Sequence, residues 1–180
     1  MSTAYNNVND LNTLVTASEV ISISFINATV DTQLITDSVI KIAEIAHLEK
    51  PLSRPFYEEL VTQHHLGTFT VSNQTLYDAY LKRCLCWYVK LEAMNEIQNQ
   101  VSSSGVMHNI DDYSAKVTPQ EFNLMKQDVH RKAQLFLQDM LDFISNHVNI
   151  GNFPTYRDNI HDTKTINDGS TNTKGGIIFY

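Results

Sequence analysis

The chain has 180 residues, 42% of them apolar and 18% charged, with a net charge of −7 at pH 7. That length fits one domain with a sizeable core and excludes two full ones. The acidic balance, with no basic stripe beyond the pairs Lys82-Arg83 and Arg131-Lys132, argues against a protein whose main task is gripping nucleic acid.

Met1 to Asn12 is polar and reads as an arm without the pattern of a signal peptide. Thr16-Ala17-Ser18-Glu19 is a capping box ahead of Val20 and Ile21. The β-branched and aromatic residues that follow alternate with Ser22 and Ser24. A short helix leading into extended backbone at Ile21–Phe25 is the expectation there. Ile35, Val39, Ile42 and Ala46 fall on one helical face, with Lys41 and Glu44 on the other side. Pro51 and Pro55 end that helix and start a short one carrying Phe56, Tyr57, Leu60 and Val61, which stops before Gly67. Thr68 to Val71 is a β-like link.

A long helix is expected from Ser72 or Asn73, either of which suits a cap. Leu76, Tyr80, Cys84, Trp87, Leu91, Met94 and Val101 form one apolar stripe, and Leu81, Leu85 and Tyr88 a second. Such a helix needs neighbours on more than one side. Ser102 to Gly105 breaks it, and Val106 to Val117 reads as an extended crossing. Thr118-Pro119-Gln120-Glu121 is the best local signal: a threonine cap, proline at the first helical position and a returning glutamate. Phe122, Met125, Val129, Ala133, Phe136, Met140, Ile144 and Val148 share one face of the helix that follows, widened by Leu137 and Leu141, and Gly151 ends it. Phe153 to Arg157 is an amphipathic loop. Asn159 to Lys174 has almost no apolar residue and reads as an arm. The tip is Ile177-Ile178-Phe179-Tyr180, which either docks on a partner or folds back as a last strand.

The expected fold is therefore mainly α. It is an antiparallel helical bundle with two long helices (about 72–102 and 119–148) plus extended N- and C-terminal arms. Residues 1–34 form the N-terminal arm with short elements, 35–150 the bundle, and 151–180 the C-terminal arm. No apolar run is long enough to span a bilayer.

The usual signatures of chemistry are absent from the sequence. Cys84 and Cys86 point to nearly opposite sides of a helix and read as buried thiols. The seven histidines include no His-Glu-x-x-His, and no glycine-rich phosphate loop occurs. Asp111-Asp112 is a carboxylate pair, but adjacent loop acids usually serve only as solvated surface. Trp87, Tyr88, Tyr80 and Tyr77 have the spacing of core residues rather than of a base-stacking platform. The expectation is no catalytic residue, no metal and no cofactor.

The order of features adds a resemblance. A helix with Ile42-Ala43-Glu44, a proline-containing turn, Phe56-Tyr57-x-x-Leu60 and a long helix lead to Ser103-Ser104-Gly105-Val106. A second capped long helix and Phe153-Pro154-x-Tyr156 follow. This order, over about Ile35 to Tyr156, resembles the head–tail connector (adaptor) proteins of tailed bacteriophages, notably of crAss-like and other Bacteroides phages. In those proteins the turn after the first helix often carries Leu-Gly, where this chain has Leu52-Ser53. The resemblance implies a structural, non-enzymatic virion protein: a homo-oligomeric ring of about a dozen copies below the portal, with portal, connector and tail proteins as partners. DNA passes through its channel without sequence-specific binding. The residues expected to touch partners are Phe153, Pro154, Tyr156, Arg157, Ile177, Ile178, Phe179 and Tyr180. The alternative is a helical adaptor or regulatory module that binds a host or viral protein through its C-terminal tail.

Overall fold

A computed structural model describes residues 12–25, 31–102, 105–108, 118–148 and 151–156. Within them the fold is mainly α. Thr16 caps α1 (Ala17–Ser24), with its hydroxyl accepting from the Glu19 N–H and Glu19 Oε2 accepting from the Thr16 N–H at 2.9 Å. Helix, not extended backbone, holds Ile21 to Ser24, and only Phe25 is extended. The Ser24 hydroxyl donates to Val20 O at 2.7 Å, and burial of Val20, Ile21 and Ser24 overrides the β-propensity of the run.

After a 3₁₀ turn (Thr32–Leu34), Thr36 caps α2 (Asp37–Glu44). The buried face is Val39, Ile40, Ala43 and Glu44, while Ile42 and Ala46, expected inside, are exposed. The helix widens into a π turn over Ile45–Glu49 and closes as α3 (Lys50–Leu52). Pro51 lies inside that last turn. It cannot donate to the turn before it, and the widened segment accommodates the loss. Ser53 then takes φ 64 and ψ 140, a backbone that glycine adopts without strain. Helix α4 (Arg54–Leu66) ends on Gly67 at φ 63, whose N–H and that of Thr68 close on the last turn.

Thr70, not Ser72 or Asn73, caps α5 (Val71–Leu76); its hydroxyl accepts from the Asn73 N–H at 3.2 Å. Asn73 turns inward instead. A second π turn (Tyr77–Leu81) leads into α6 (Lys82–Gln98), so one continuous helix runs from Val71 to Gln98. It stops short of the expected 102. Residues Asn99–Ser102 (β1) pair antiparallel with Gly105–His108 (β2), Val101 opposite Val106, so the helix gives way to a strand before the serine cluster. Of the expected crossing, residues 109–117, including Asp111-Asp112, lie outside the described residues. Helix α7 (Pro119–Val148) has the expected box: Glu121 Oε2 accepts from the Thr118 N–H at 2.9 Å, and Thr118 Oγ1 from the Glu121 N–H at 3.2 Å. Val129, Ala133, Met140 and Ile144 of its face are buried, whereas Met125 is exposed.

Helices α1, α2 and α7 all pack on α6. Tyr80 stacks on Phe143 and Trp87 lies against Phe136, which makes α6 and α7 antiparallel. His47 stacks on Tyr88 at 4.1 Å, on another side. The apolar character of α6 on several sides is satisfied within one chain, with Leu81, Cys84, Leu85, Cys86, Val89 and Ala93 fully buried. The body also reaches beyond the expected 35–150 at both ends. Leu14, Val15, Val20 and Ile21 belong to the core, and so does Phe153.

What fastens the N-terminal segment is a polar clamp. Leu14 is irregular and fully buried, so its backbone groups need partners. Its N–H donates to Glu44 Oε1 at 2.6 Å, and its carbonyl accepts from the Tyr77 hydroxyl at 2.7 Å. Glu44 is 0% exposed and meets the cost of a buried carboxylate with three donors: Leu14 N–H, Tyr57 Oη at 2.8 Å and Lys41 Nζ at 2.9 Å. Lys41 also donates to Tyr57 Oη and to Asn12 O. Burial, then the Glu44 charge, raises Tyr57's pKa, so its hydroxyl stays protonated as a donor. His64 Nε2 lies 3.1 Å from Tyr77 Oη, whose one proton goes to Leu14. His64 Nε2 therefore carries a hydrogen and donates.

Two outcomes follow. Ser53→Gly should raise the free energy of unfolding by about 1 kcal/mol, the relief at φ 64 exceeding glycine's entropy loss, as read from urea denaturation. Burial also holds the His64 pKa below its ordinary 6.5. The unfolded chain then binds more protons below that pH, so stability falls as pH drops from about 6.5 through the folded pKa. His64→Gln, which keeps a donor toward Tyr77, should flatten that slope below about pH 6.5. Glu19 does not interfere: burial raises its pKa but the Thr16 and Lys82 hydrogen bonds lower it further, placing its effect below 4.5.

Candidate assembly site

The titratable groups of the body are used structurally. His47 Nε2 meets Glu92 Oε1 at 2.8 Å while its ring stacks on Tyr88. Both thiols are free and buried; burial pushes Cys86 up to about 12 and raises Cys84 as well, so neither is a poised nucleophile. Among the described residues no three His, Cys, Asp or Glu side chains come together as a metal site would need. No described helix is long and apolar enough to cross a membrane.

The C-terminal loop after α7 is the first of the expected contact regions. Gly151, at φ 85, turns the chain back, and Phe153 follows at φ 59. A bulky side chain in that region is strained. What holds it there is burial. Phe153 is 2% exposed, with its ring 5.6 Å from Phe56 and 6.1 Å from Phe143. Tyr156 closes the turn through its N–H to Phe153 O and lays its ring edge-on to Phe56 at 5.8 Å. Ser72 Oγ donates to Asn152 Oδ1 at 3.0 Å. The Thr155 hydroxyl donates to Glu59, whose other oxygen accepts from Gln63 and from buried Asn73.

Phe153 is thus part of this chain's own core rather than a free partner contact. Its ring sits between Phe56 of α4 and Phe143 of α7. Tyr156 is half-buried on the same cluster and Pro154 is exposed. Arg157 and Ile177, Ile178, Phe179 and Tyr180 lie outside the described residues. Tyr156, where the described residues end, lies beside Phe56 near the start of α4.

Sequence reading missed a second set of residues, the apolar ones left outside the core. Ile42 and Ile45 protrude from α2 and the π turn after it, Leu124, Met125 and Leu135 from α7, and Leu66 and Val71 from the end of α4 and the start of α5, each more than half exposed. Leu124 and Leu135 are eleven residues apart, about three turns, so they share a stripe on the side of α7 away from Val129 and Ala133. Helices α2 and α7, which carry Ile42 and Leu124, Met125 and Leu135, each pack on α6. Ile42 was counted as core because its spacing fits that face as well as Ile40 does.

The chain belongs to a family of unknown function (DUF6712), which matches residues 48–166, from the π turn after α2 to beyond Tyr156. No curated protein and no solved structure matches it.

Phe153→Ala should lower stability by about 3 kcal/mol, the usual range for emptying a buried aromatic site, while leaving far-UV circular dichroism nearly unchanged. Hydrogen exchange should then rise at 151–156 with α6 still protected. Unchanged exchange in that loop would contradict its anchoring role.

Proposed function

We propose that this chain is a non-enzymatic structural protein of a tailed-phage virion. It packs side by side in a ring below the portal, joins capsid to tail and leaves a channel for the genome. The observation that carries this reading is that large apolar side chains stand exposed on more than one helix, outside the buried core of the described residues. Ring contacts are heterologous, so each copy needs two different surfaces, one for each neighbour. Ile42 with Ile45, and Leu124 with Leu135, stand exposed on different helices and would serve as two such surfaces. A core satisfied within one chain supports a body that folds first and assembles afterwards. The order of elements that carries the connector resemblance lies in this same body. The net charge of −7 suits a passage that DNA must traverse without sticking.

In this reading the tail from Asn159 to Tyr180 reaches the portal or a neighbouring copy. Its apolar tip supplies burial when a partner arrives, at the price of ordering the polar segment before it.

Purified chain mixed with the portal protein of the same phage should give stacked rings in negative-stain electron microscopy. Deleting residues 159–180 should weaken portal binding at least about tenfold, equivalent to about 1.4 kcal/mol, with the helical signal retained. A truncated chain that binds portal as well as the full one removes the tail from the reading. A stable monomer that ignores portal and captures a cellular protein through its tail favours the adaptor alternative instead.

A further inference from the structure

We propose that the cationic surface where α6 meets α7 and the end of α1 is a docking site for an acidic segment of a partner protein, with Arg83, Lys90 and Lys132 taking its carboxylates around Trp87.

The fold gathers these cations and leaves them uncompensated. Arg83, Trp87 and Lys90 recur at four and three residues, so they share one face of α6. Lys132 and Phe136 meet them from α7, and Phe25 from the end of α1. The Lys90 and Lys132 ammoniums both lie over the Trp87 ring, 5.1 and 5.2 Å from its centroid. Arg83 Cζ stands 5.4 Å from the Phe136 ring, which is itself 6.2 Å from Trp87. Asp128 is already engaged on its own helix, by Arg131 at 2.8 Å and Lys132 at 2.6 Å. Among the described residues Arg83 and Lys90 form no ion pair.

Lys90 shows most clearly what is missing. Its ammonium is half-buried, with the Ser24 carbonyl at 2.7 Å and the Phe25 ring at 4.5 Å but no carboxylate beside it among the described residues. A cation drawn out of water without a counter-charge is costly. Burial, then the charge of Lys132, lowers its pKa below the ordinary value. Two like charges are thus held around one ring, and an arriving carboxylate relieves their repulsion. Such a surface is conspicuous in a chain whose net charge is −7.

A protein segment suits this surface better than nucleic acid does. Trp87 is half-buried and its ring is covered by ammoniums, so it offers no bare face to a base. A long run of phosphates would also meet the acidic remainder of the chain, whereas a short segment meets only the cations. Arg83 and Lys90 are seven residues apart on α6, about 10 Å, which is the reach of about three residues of extended chain. Carboxylates at that spacing, with apolar side chains between them for Trp87 and Phe136, complement the surface. The inference goes beyond the ring reading and does not rest on it, since it names the chemistry of one contact whatever the number of copies.

Trp87 is the chain's single tryptophan, so its fluorescence reports on this surface alone. Full-length protein is titrated at low salt with a capped glutamate peptide of about ten residues and, separately, with single-stranded DNA of the same length. The expected result is a saturable change in Trp87 emission with the peptide. Arg83→Gln and Lys132→Gln should each weaken it at least about threefold, with circular dichroism unchanged. Arg54→Gln removes the same charge from an exposed position on α4 and should leave the affinity as it was. No saturable change, equal weakening by Arg54→Gln, or tighter binding of the DNA than of the peptide overturns the proposal.

Discussion

The buried carboxylate of Glu44 is the constraint around which the rest of the body is arranged. A charge with no exposure is tolerated only where donors surround it, and here they come from three places in the chain. Lys41 is one helical turn away on α2, Tyr57 is on α4, and the Leu14 N–H is on the segment before α1. The hydrogen bonds fix the angle of α2 to α4 and draw the N-terminal segment over α6. Tyr77 completes the arrangement from the long helix by taking the Leu14 carbonyl, with His64 behind it. Removing any one of these groups strands another in the core.

With that segment in place, α6 is enclosed by α1, α2 and α7. A helix buried on most sides has little freedom to shift, which makes it a rigid axis for both ends of the chain. At the far end the same logic recurs on a smaller scale. The backbone at Phe153 is held in an unfavourable region because the ring fills a site between Phe56 and Phe143. The side-chain bonds from Ser72 and Thr155 then pin the loop. Both termini of the described body are thus fastened at defined points.

Much of this was legible in the sequence where the signal was local. The Thr118 box and the face of α7 needed only neighbouring residues, and so did the Thr16 box and the stop at Gly67. The α2 face was misjudged because Ile42 and Ile40 fit the period almost equally well. What decides between them is Glu44, whose partners are distant in sequence. The two π turns add a residue to the helix without leaving a mark in composition. Phe153 read as a loop aromatic free to meet a partner, because its burial depends on a gap between α4 and α7 that no local pattern describes. The adjacent Lys41 and Glu44 were the one available hint: an i, i+3 pair beside a run of buried aliphatics can fold inward if a tyrosine is in reach.

The most direct test of the clamp is the exchange rate of a single amide. Leu14 lies near the start of the chain, before any helix, where amides ordinarily exchange fast. If its N–H is held by Glu44 in the core, native-state hydrogen exchange followed by NMR should find it as slow as the Leu85 amide of α6, opening only with global unfolding. Exchange of Leu14 at the rate of a frayed terminus, with α6 still protected, would contradict the account.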